Sequence, residues 1–330
     1  MAGSNGAALA IAVSNAGALG SLPCAMLTPD GMRAELRALT AGTHRPYLVN
    51  FFCHTPPAPD PARESAWRAL LAPYYREYGL DPTTTVSAPA RTPFSAEAAD
   101  ALEEFRPPVV SFHFGLPAPE RVARVRAWGA KVVGNATSLE EARWLESRGV
   151  DALVAQGREA GGHSGMFLSS DVGRLSPTFE LVSQLIDAVK VPVIAAGGIG
   201  DAAAVAQALA LGAAAVQVGT AYLLCPEATT SAVHRAALQS DSARQTAFTN
   251  LISGRPARGV LNRLMRELGP MSDAPPAFPL ASVALAPLRA KAESLGRGDF
   301  SPLWCGEHAR PANAPAAEVT RELAKGAGAL

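Results

Sequence analysis

The chain has 330 residues, and its 29 basic and 29 acidic side chains give a formal net charge of zero. This balance excludes the strong positive field that attracts nucleic acid or an anionic membrane surface. Hydrophobic residues make up 48% of the chain and charged residues 18%. Such a composition excludes a disordered chain and is typical of buried strands covered by helices. We therefore expect a globular protein whose partner is a small molecule.

The cysteines and the opening segment indicate where the protein resides. The four cysteines lie far apart and form no CxxC pair, so neither a disulfide framework nor a zinc site is indicated, and no metal is expected. The opening segment MAGSNGAALAIAVSNAGALG lacks a basic region, and its apolar run is short for a membrane span. We therefore expect no membrane anchor, and a cytoplasmic location is the simplest interpretation. The cysteines are Cys24, Cys53, Cys225 and Cys305.

Short apolar runs alternate with amphipathic segments along the first two thirds of the chain, as in repeated βαβ units. Seven strands are predicted, at Gly20–Cys24, Tyr47–Phe52, Val109–Phe114, Lys131–Asn135, Ala152–Gln156, Val191–Ala196 and Ala214–Gly219. Helices are predicted at Ala7–Val13, Asp30–Leu39, Ala62–Tyr78, Pro119–Trp128, Ser138–Ser147, Thr178–Val189 and Asp201–Leu211. Ser138 followed by Glu141 indicates a capping box, and Asp201 is a suitable N-cap residue.

This alternation predicts an α/β fold of the (β/α)8 TIM-barrel type. A closed barrel of this type needs eight strands, and only seven are predicted. The segment MAGSNG leads directly into the first helix, as the end of a first strand would if the strand itself lay upstream of Met1. We expect that the first barrel strand is truncated or absent, and that either residues precede Met1 or another segment completes the barrel.

Beyond Leu224 the alternation of strands and helices stops. We therefore assign residues 1–224 to the barrel and residues 225–330 to a mostly helical segment that packs on the barrel. This segment contains no predicted strand and too little apolar sequence for an independent domain. Its predicted helices are Ser231–Leu238, Leu261–Leu268, Val283–Leu295 and a short one near Glu318–Lys325.

The last two predicted barrel strands are each followed by residues suited to a phosphate. AAGGIGD contains Gly198 and leads into a helix N-terminus, and QVGTAYLL contains Gly219 and Thr220. Exposed main-chain N–H groups at a helix N-terminus bind anions, and the last two strands of these barrels often build a phosphate site. Each glycine taken alone could serve only a tight turn, but the pair predicts a phosphate-bearing cofactor.

Two further places carry candidate site residues. In QGREAGGHSG, Gln156 can hydrogen-bond a planar ring, and the glycines bring His163 into the mouth of the barrel. Histidine in such a loop is a candidate acid or base, although a structural hydrogen-bonding role is the alternative. Asn50 ends the apolar strand YLVNFF, so it is expected to meet either a ligand or a main-chain partner in the core.

Several segments, in order and spread from Met1 to Gly306, together resemble the FMN-dependent nitronate monooxygenases, formerly called 2-nitropropane dioxygenases. The glycine-rich histidine loop followed by AAGGI and VQVGT is the most specific combination, although relatives of the same superfamily share much of it. The segments are MAGSNG, SNAGALGSL, VNFF, QGREAGGHSG, PVIAAGGIGD, AVQVGTAYL and SGRPARG.

The resemblance implies oxidation of alkyl nitronates, such as propionate 3-nitronate, with O2 to carbonyl compounds and nitrite. It implies FMN as the cofactor and His163 as the catalytic residue. No metal is implied, and a homodimer is possible. The residues that match the FMN contacts of the family are Asn50, Gln156, Gly161, Gly198, Gln217, Gly219 and Thr220.

This chain departs from the family pattern in two places. Only Met1, Ala2 and Gly3 remain of a usual opening strand, and the late W-x-G-Q segment carries Glu307 in place of glutamine. That carboxylate bears on which anions the site tolerates.

Three further residues have alternative roles. Arg255 and Arg258 are candidates for pairing with a substrate carboxylate, with a brace for their loop as the alternative. His113 is predicted to line the same mouth as His163, as a wall residue.

Other functions remain open at this point. The nearest alternative is an NAD(P)H-dependent FMN reductase of the same superfamily that acts on quinones or enoyl thioesters. A second is a non-redox isomerase or lyase that uses the phosphate site for its substrate, but the strand ends lack the lysine or acidic pair typical of such enzymes. A third is a cofactor-binding protein without turnover.

Overall fold

The computed structural model describes residues 1–84, 91–308 and 311–328. Seven parallel strands form a curled sheet in the order β1-β2-β3-β4-β5-β7-β8, and three shorter segments form a second, antiparallel sheet in the order β6-β10-β9. The strands are β1 (Gly20–Pro23), β2 (Tyr47–Phe52), β3 (Val109–His113), β4 (Lys131–Ala136), β5 (Ala152–Gln156), β6 (Gly162–His163), β7 (Val193–Ala196), β8 (Ala215–Gln217), β9 (Thr246–Thr249) and β10 (Ala257–Val260).

Helices follow most strands of the parallel sheet and cover its outer face. They are α1 (Ala7–Asn15), α2 (Pro29–Gly42), α3 (Pro61–Glu77), α4 (Ala96–Glu103), α5 (Pro119–Ala127), α6 (Leu139–Glu146), α7 (Thr178–Ala188), α8 (Ala202–Ala210), α9 (Ala232–Gln239), α10 (Arg263–Leu268), α11 (Ala281–Ser294) and α12 (Ala316–Ala324). The predicted α/β class with a helical C-terminal part is confirmed. Helix α4 was not predicted. None of these helices, taken from the described part of the chain, has the length and apolar character needed to cross a bilayer.

Local sequence explains where the helices begin. The Ser138 hydroxyl accepts a hydrogen bond from Glu141 N, and an Asp201 carboxylate oxygen accepts one from Ala204 N. The predicted capping box is only half formed. The Glu141 carboxylate instead accepts from the main-chain N and the hydroxyl of Thr137, at 2.7 and 2.8 Å. Its other oxygen accepts from Phe167 N and Leu168 N, so this buried carboxylate braces the loop that follows β6.

The N-terminal residues pass between the two outer strands of the parallel sheet. The Asn5 side chain donates to Ser21 O in β1 at 2.7 Å, and Thr229 N, beyond β8, donates to Ser4 O at 3.2 Å. No hydrogen-bonded ladder joins β1 to β8 in the described residues. The seven predicted barrel strands are therefore all present, and residues 1–6 lie where the sheet is open.

The prediction that the C-terminal segment contains no strand is wrong. Strand β10 pairs antiparallel with both β9 and β6, and Ala257 stands opposite His163 on one side and Thr249 on the other. The three strands are too short to show an alternating pattern, and the pairing of β10 with β6 joins segments that are distant in sequence. This pairing bears on function, because β10 is hydrogen-bonded to β6, which contains His163, the residue predicted to be catalytic.

Two large apolar clusters, among several in the described residues, stabilise the molecule. The larger lies between the parallel sheet and its helices. The second unites α3 with the C-terminal segment, where the Trp67 indole donates to Ala281 O at 3.2 Å and the Tyr75 hydroxyl to Ala284 O at 2.6 Å. The C-terminal segment therefore shares its core with a helix of the first 224 residues. The boundary at residue 224 stays a prediction.

Candidate active site

A cleft of about 270 Å³ opens at the carboxyl ends of the parallel strands. The carboxyl ends of barrel strands are where loops from several strands meet, and enzymes of this architecture place their active sites there. The cleft brings together all eight residues predicted for the site, which are Asn50, Gln156, Gly161, His163, Gly198, Gln217, Gly219 and Thr220.

One end of the cleft is formed by the turns after β7 and β8. Gly197 and Gly198 adopt positive φ angles of 124° and 66°, which few other residues tolerate. Within the described residues, no hydrogen bond is formed by the main-chain N–H groups of Gly198, Gly219 and Thr220. Helix α8 begins just after the first turn, so its positive end faces the same region. This end of the cleft is therefore suited to bind a phosphate.

The glycines of the β7 turn also serve packing. A Cβ at Gly197 would lie 2.6 Å from the Thr178 hydroxyl oxygen. The turn must therefore be tight, and its N–H groups also remain unpaired, so a packing role does not exclude the predicted phosphate contact.

His163 lies at the other end of the cleft. Its Nε2 atom is 2.8 Å from the Ser253 hydroxyl oxygen, and its main-chain oxygen accepts from the side chains of Gln156 at 3.0 Å and His113 at 3.1 Å. Three side chains from separate elements thus hold this histidine in place. His113 lines the cleft as predicted and supports the His163 main chain.

Burial keeps both imidazoles neutral. Desolvation lowers the pKa of His163 well below its usual value, and the nearby Arg91 guanidinium adds to the effect. Desolvation also lowers the pKa of His113 to about 3. Near pH 7 the His163 ring therefore has one protonated nitrogen and one nitrogen that can accept a proton.

Two of the predicted cofactor contacts are largely occupied by protein partners. The Gln156 carbonyl oxygen accepts from Gly165 N at 2.7 Å and from the Asn135 amide at 3.1 Å. The Asn50 amide nitrogen donates to the Ser111 hydroxyl at 2.7 Å. Asn50 therefore has a protein partner, as the alternative of an asparagine satisfied within the core predicts. Both Asn50 and Gln156 nevertheless line the cleft.

Gly161 allows two chain segments to touch. A Cβ at this position would lie 2.5 Å from Gly306 N and 2.6 Å from the Cys305 carbonyl carbon. A Cβ at Gly306 would lie 2.7 Å from Glu159 O, so both glycines are required by the same contact. The C-terminal segment around residue 306 is thereby pressed against the histidine loop.

The arginines proposed for substrate binding are bound to the protein instead. Arg255 donates to Met166 O and stacks on the Phe114 ring at 4.0 Å, and it does not line the cleft. Buried Arg258 forms an ion pair with Glu307 at 2.7 Å and donates to Arg158 O at 2.8 Å. The bracing role is therefore favoured for both arginines. The Glu307 carboxylate does line the cleft, with its charge balanced by Arg258.

A wall of aromatic rings surrounds His163. The ring centroids of Trp304 and Phe278 lie 5.4 and 5.3 Å from its imidazole, and that of Phe52 lies at 6.1 Å. Arg91 completes this wall, with its guanidinium carbon 5.7 Å from the Phe278 ring centroid. Apolar rings around a few polar groups are typical of sites for small organic ligands.

The family model described as nitronate monooxygenase matches residues 1–326 of this chain. The chain belongs to the nitronate monooxygenase family. It is 43% identical over 329 residues to a nitronate monooxygenase from Paraburkholderia phytofirmans, covering 98% of this chain and 89% of that protein. It is 41% identical over 333 residues to one from Pseudomonas aeruginosa, covering 98% and 93%.

Solved structures show the same relationship. The nitroalkane oxidase from Streptomyces ansochromogenes is 37% identical and superposes with a TM-score of 0.90, covering 100% of this chain and 95% of that one. FabK from Thermotoga maritima is 28% identical with a TM-score of 0.70, covering 99% and 90%. The greater similarity to the nitroalkane oxidase does not favour the alternative of a reductase.

Nitronate monooxygenases are flavin-dependent oxidoreductases, so this chain is an enzyme of that class. The residues fit such a group. The unpaired N–H groups of Gly198, Gly219 and Thr220 form a cradle for a phosphate, and a Cβ at Gly219 would have no neighbour closer than 3.7 Å. Space and donors therefore coincide where the phosphate is expected.

Sequence analysis missed two residues that the structure brings to the site. Ser253 belongs to the quoted segment SGRPARG, yet nothing local indicated that it would face His163. Arg91 lies in a proline-containing segment without periodicity, and its place in the cleft wall depends on packing against Phe278. A serine or an arginine in a loop belongs to no periodic pattern or motif that would predict its place in the site.

Proposed function

We propose that this member of the nitronate monooxygenase family is FMN-dependent and oxidises alkyl nitronates with O2 to carbonyl compounds and nitrite. One observation supports it most directly. A single cleft unites His163 with the unpaired N–H groups of Gly198, Gly219 and Thr220. A phosphate at the turns after β7 and β8 would direct the attached ring toward the imidazole.

The two ends of the cleft bind different parts of the cofactor and substrate. The main-chain N–H groups bind the FMN phosphate, while Asn50 and Gln156 border the ring region. When bound, FMN supplies the electron acceptor for the substrate and the means to pass electrons to O2. Trp304, Phe278 and Phe52 exclude water around His163.

His163 acts on the substrate itself. Its neutral ring can donate a hydrogen bond or accept a proton near pH 7. A nitronate is already an anion and needs only to be held and oriented. A neutral nitroalkane must first lose its α-proton, and the unprotonated ring nitrogen of His163 is the group placed to take it.

Two measurements test the proposal. The purified protein should show the visible absorption of oxidised flavin, and heating should release FMN identified by chromatography. Addition of ethyl nitronate in air should consume O2 and form nitrite. Colourless protein that cannot be reconstituted with FMN, or coloured protein that oxidises no nitronate, would contradict the proposal.

A third measurement separates the reductase alternative. Anaerobic mixing with NADH should leave the flavin oxidised over many seconds. Rapid bleaching of the visible absorption by NADH, together with absent nitronate turnover, would instead assign the protein to the reductases of the superfamily.

A further inference from the structure

The charges along the cleft do not balance. Among the side chains of the described residues that line it, only those of Arg91 and Glu307 carry a formal charge. Glu307 is paired with Arg258 at 2.7 Å. Arg91 forms no ion pair within the described part of the chain, and its Nη1 atom is buried without a hydrogen-bond partner. The Arg91 side chain is therefore a cation at the cleft that has no counter-ion among the described residues.

A partly buried guanidinium without a counter-ion lowers the stability of the folded protein unless a ligand pairs with it. An unpaired buried charge destabilises a protein far more than a paired one. Burial lowers the pKa of Arg91, and the nearby Arg289 guanidinium lowers it further. Arginine nevertheless keeps its proton in proteins, so the site cannot relieve the cost by becoming neutral. An anion that enters the cleft would pair with this guanidinium and offset the cost.

Arg91 lies at the substrate end of the cleft. Its guanidinium carbon is 5.7 Å from the centroid of the Phe278 ring, and the His163 ring is 5.3 Å from the same centroid. Glu307, the other charged side chain, lies near the turn after β7, where its carbonyl oxygen would be 3.8 Å from a Cβ at Gly198. One small molecule could therefore touch His163 with one end and Arg91 with the other.

We propose that Arg91 is a specificity-determining residue that pairs with a carboxylate on the substrate tail, so that nitronates with this second anionic group are preferred. The inference rests on the proposed nitronate oxidation. A guanidinium fork matches a carboxylate with two parallel hydrogen bonds. Arg255 and Arg258 do not fill this role, because their guanidinium groups are bound to Met166 O and to Glu307.

Steady-state kinetics with two nitronates of equal carbon number test the proposal. One is the nitronate of 1-nitropropane, with a neutral tail, and the other is that of 3-nitropropionate, with a carboxylate tail. In Arg91→Met, the KM for the carboxylate substrate should rise about 10-fold to 100-fold. The KM for the neutral substrate should change by less than about threefold. Arg91→Lys should recover part of the loss, because it restores the charge without the fork.

Arg37→Met is the matched control. This arginine pairs with Glu104 at 3.7 Å and does not line the cleft, so its removal should leave the KM of both substrates unchanged. The FMN content of each variant verifies that the site is intact. Equal KM increases for both nitronates in Arg91→Met would overturn the proposal, since Arg91 would then bind the nitronate group or support the fold. Unchanged KM values would overturn it as well.

A binding measurement keeps this inference separate from the proposed function. Propionate and propionamide differ only in charge at the end that Arg91 would bind. Calorimetry should show that the wild-type holoprotein binds propionate more tightly than propionamide, and that Arg91→Met abolishes the difference. If the protein binds propionate selectively but oxidises no nitronate, the proposed activity fails and the role of Arg91 stands. If wild type does not distinguish the two ligands, the role of Arg91 fails.

Discussion

The Nε2 atom of His163 and the hydroxyl oxygen of Ser253 are 2.8 Å apart, and this contact holds the imidazole in its orientation. The Ser253 hydroxyl also lies 3.3 Å from Arg255 O, which can only accept. When the single hydrogen of the hydroxyl is donated to that carbonyl, the hydroxyl accepts from the His163 Nε2–H. In this arrangement Nδ1 is the ring nitrogen that can take a proton from a substrate.

Removing this hydroxyl should impair proton removal without emptying the site. In Ser253→Ala, kcat for 1-nitropropane should fall about tenfold, equivalent to roughly 1.4 kcal/mol, because the tautomer and ring orientation are no longer held. KM and FMN content should stay near wild type. Ser253→Thr keeps the hydroxyl and serves as the control. A threonine variant as impaired as the alanine variant would argue against the tautomer assignment.

Replacement of His163 should separate the two substrate forms. In His163→Asn, turnover of the neutral nitroalkane should fall at least about 100-fold, the usual contribution of a positioned base. Turnover of the corresponding nitronate should fall far less, because this anion has already lost its proton. O2 consumption with freshly prepared nitronate and with nitroalkane gives both rates. Equal losses on the two forms would rule out proton removal by His163.

The contact between Gly161 and the C-terminal segment should be sensitive to a single methyl group. Gly161→Ala places a Cβ 2.5 Å from Gly306 N and should destabilise the protein by about 1 to 3 kcal/mol. The FMN content should fall as well, since the displaced segment borders the cleft. Gly162→Ala is the control, because its Cβ meets no atom within 4 Å and costs only the strain of a φ of 75°, about 1 kcal/mol. Equal unfolding midpoints in urea for the two variants would contradict this explanation.

Buried neutral histidines should make the fold sensitive to acid. Desolvation, with help from the Arg255 and Arg91 charges, lowers the pKa of His54 to about 4 from an ordinary value of 6.5. Below pH 6.5 His54 is protonated in the unfolded chain, whereas in the folded chain it becomes protonated only near pH 4. The free energy of unfolding therefore falls as the pH drops through this window. This one residue should cost about 2 kcal/mol between pH 7 and pH 5.

Urea denaturation at the two pH values measures the effect. His54→Gln does not titrate, so its loss of stability on acidification should be smaller than that of wild type by about 2 kcal/mol. His44→Gln is an exposed control and should lose as much stability as wild type. An identical pH dependence for wild type and His54→Gln would show that His54 does not contribute.

Much of the architecture could be predicted because it depends on sequence signals within each helix or strand. Strands β2 and β5 begin and end where their apolar runs do, and the caps Ser138 and Asp201 are in place. The glycine-rich turns after β7 and β8 were also recognisable, since parallel strands bring their carboxyl ends together whatever the helices between them. That is why the eight predicted site residues line one cleft.

The errors have a common physical cause. Strands β9 and β10 are four residues each; β9 pairs with β10, and β10 also pairs with β6, which is distant in sequence. Arg255 and Arg258 looked alike in sequence, and only the positions of Met166 and Glu307 showed that each is already bound. Long-range pairing of this kind leaves no periodicity and no cap signal in the segment concerned.

By itself the sequence determined the alternation of strands and helices, the two glycine-rich turns and the histidine loop, because each depends on neighbours within a few residues. The tertiary structure alone decided which charges remain unpaired. It placed Ser253 against His163 and Arg91 beside Phe278 without a counter-ion in the described residues. Such partnerships follow from the packing of distant segments, since desolvation and pairing act through space and not along the chain.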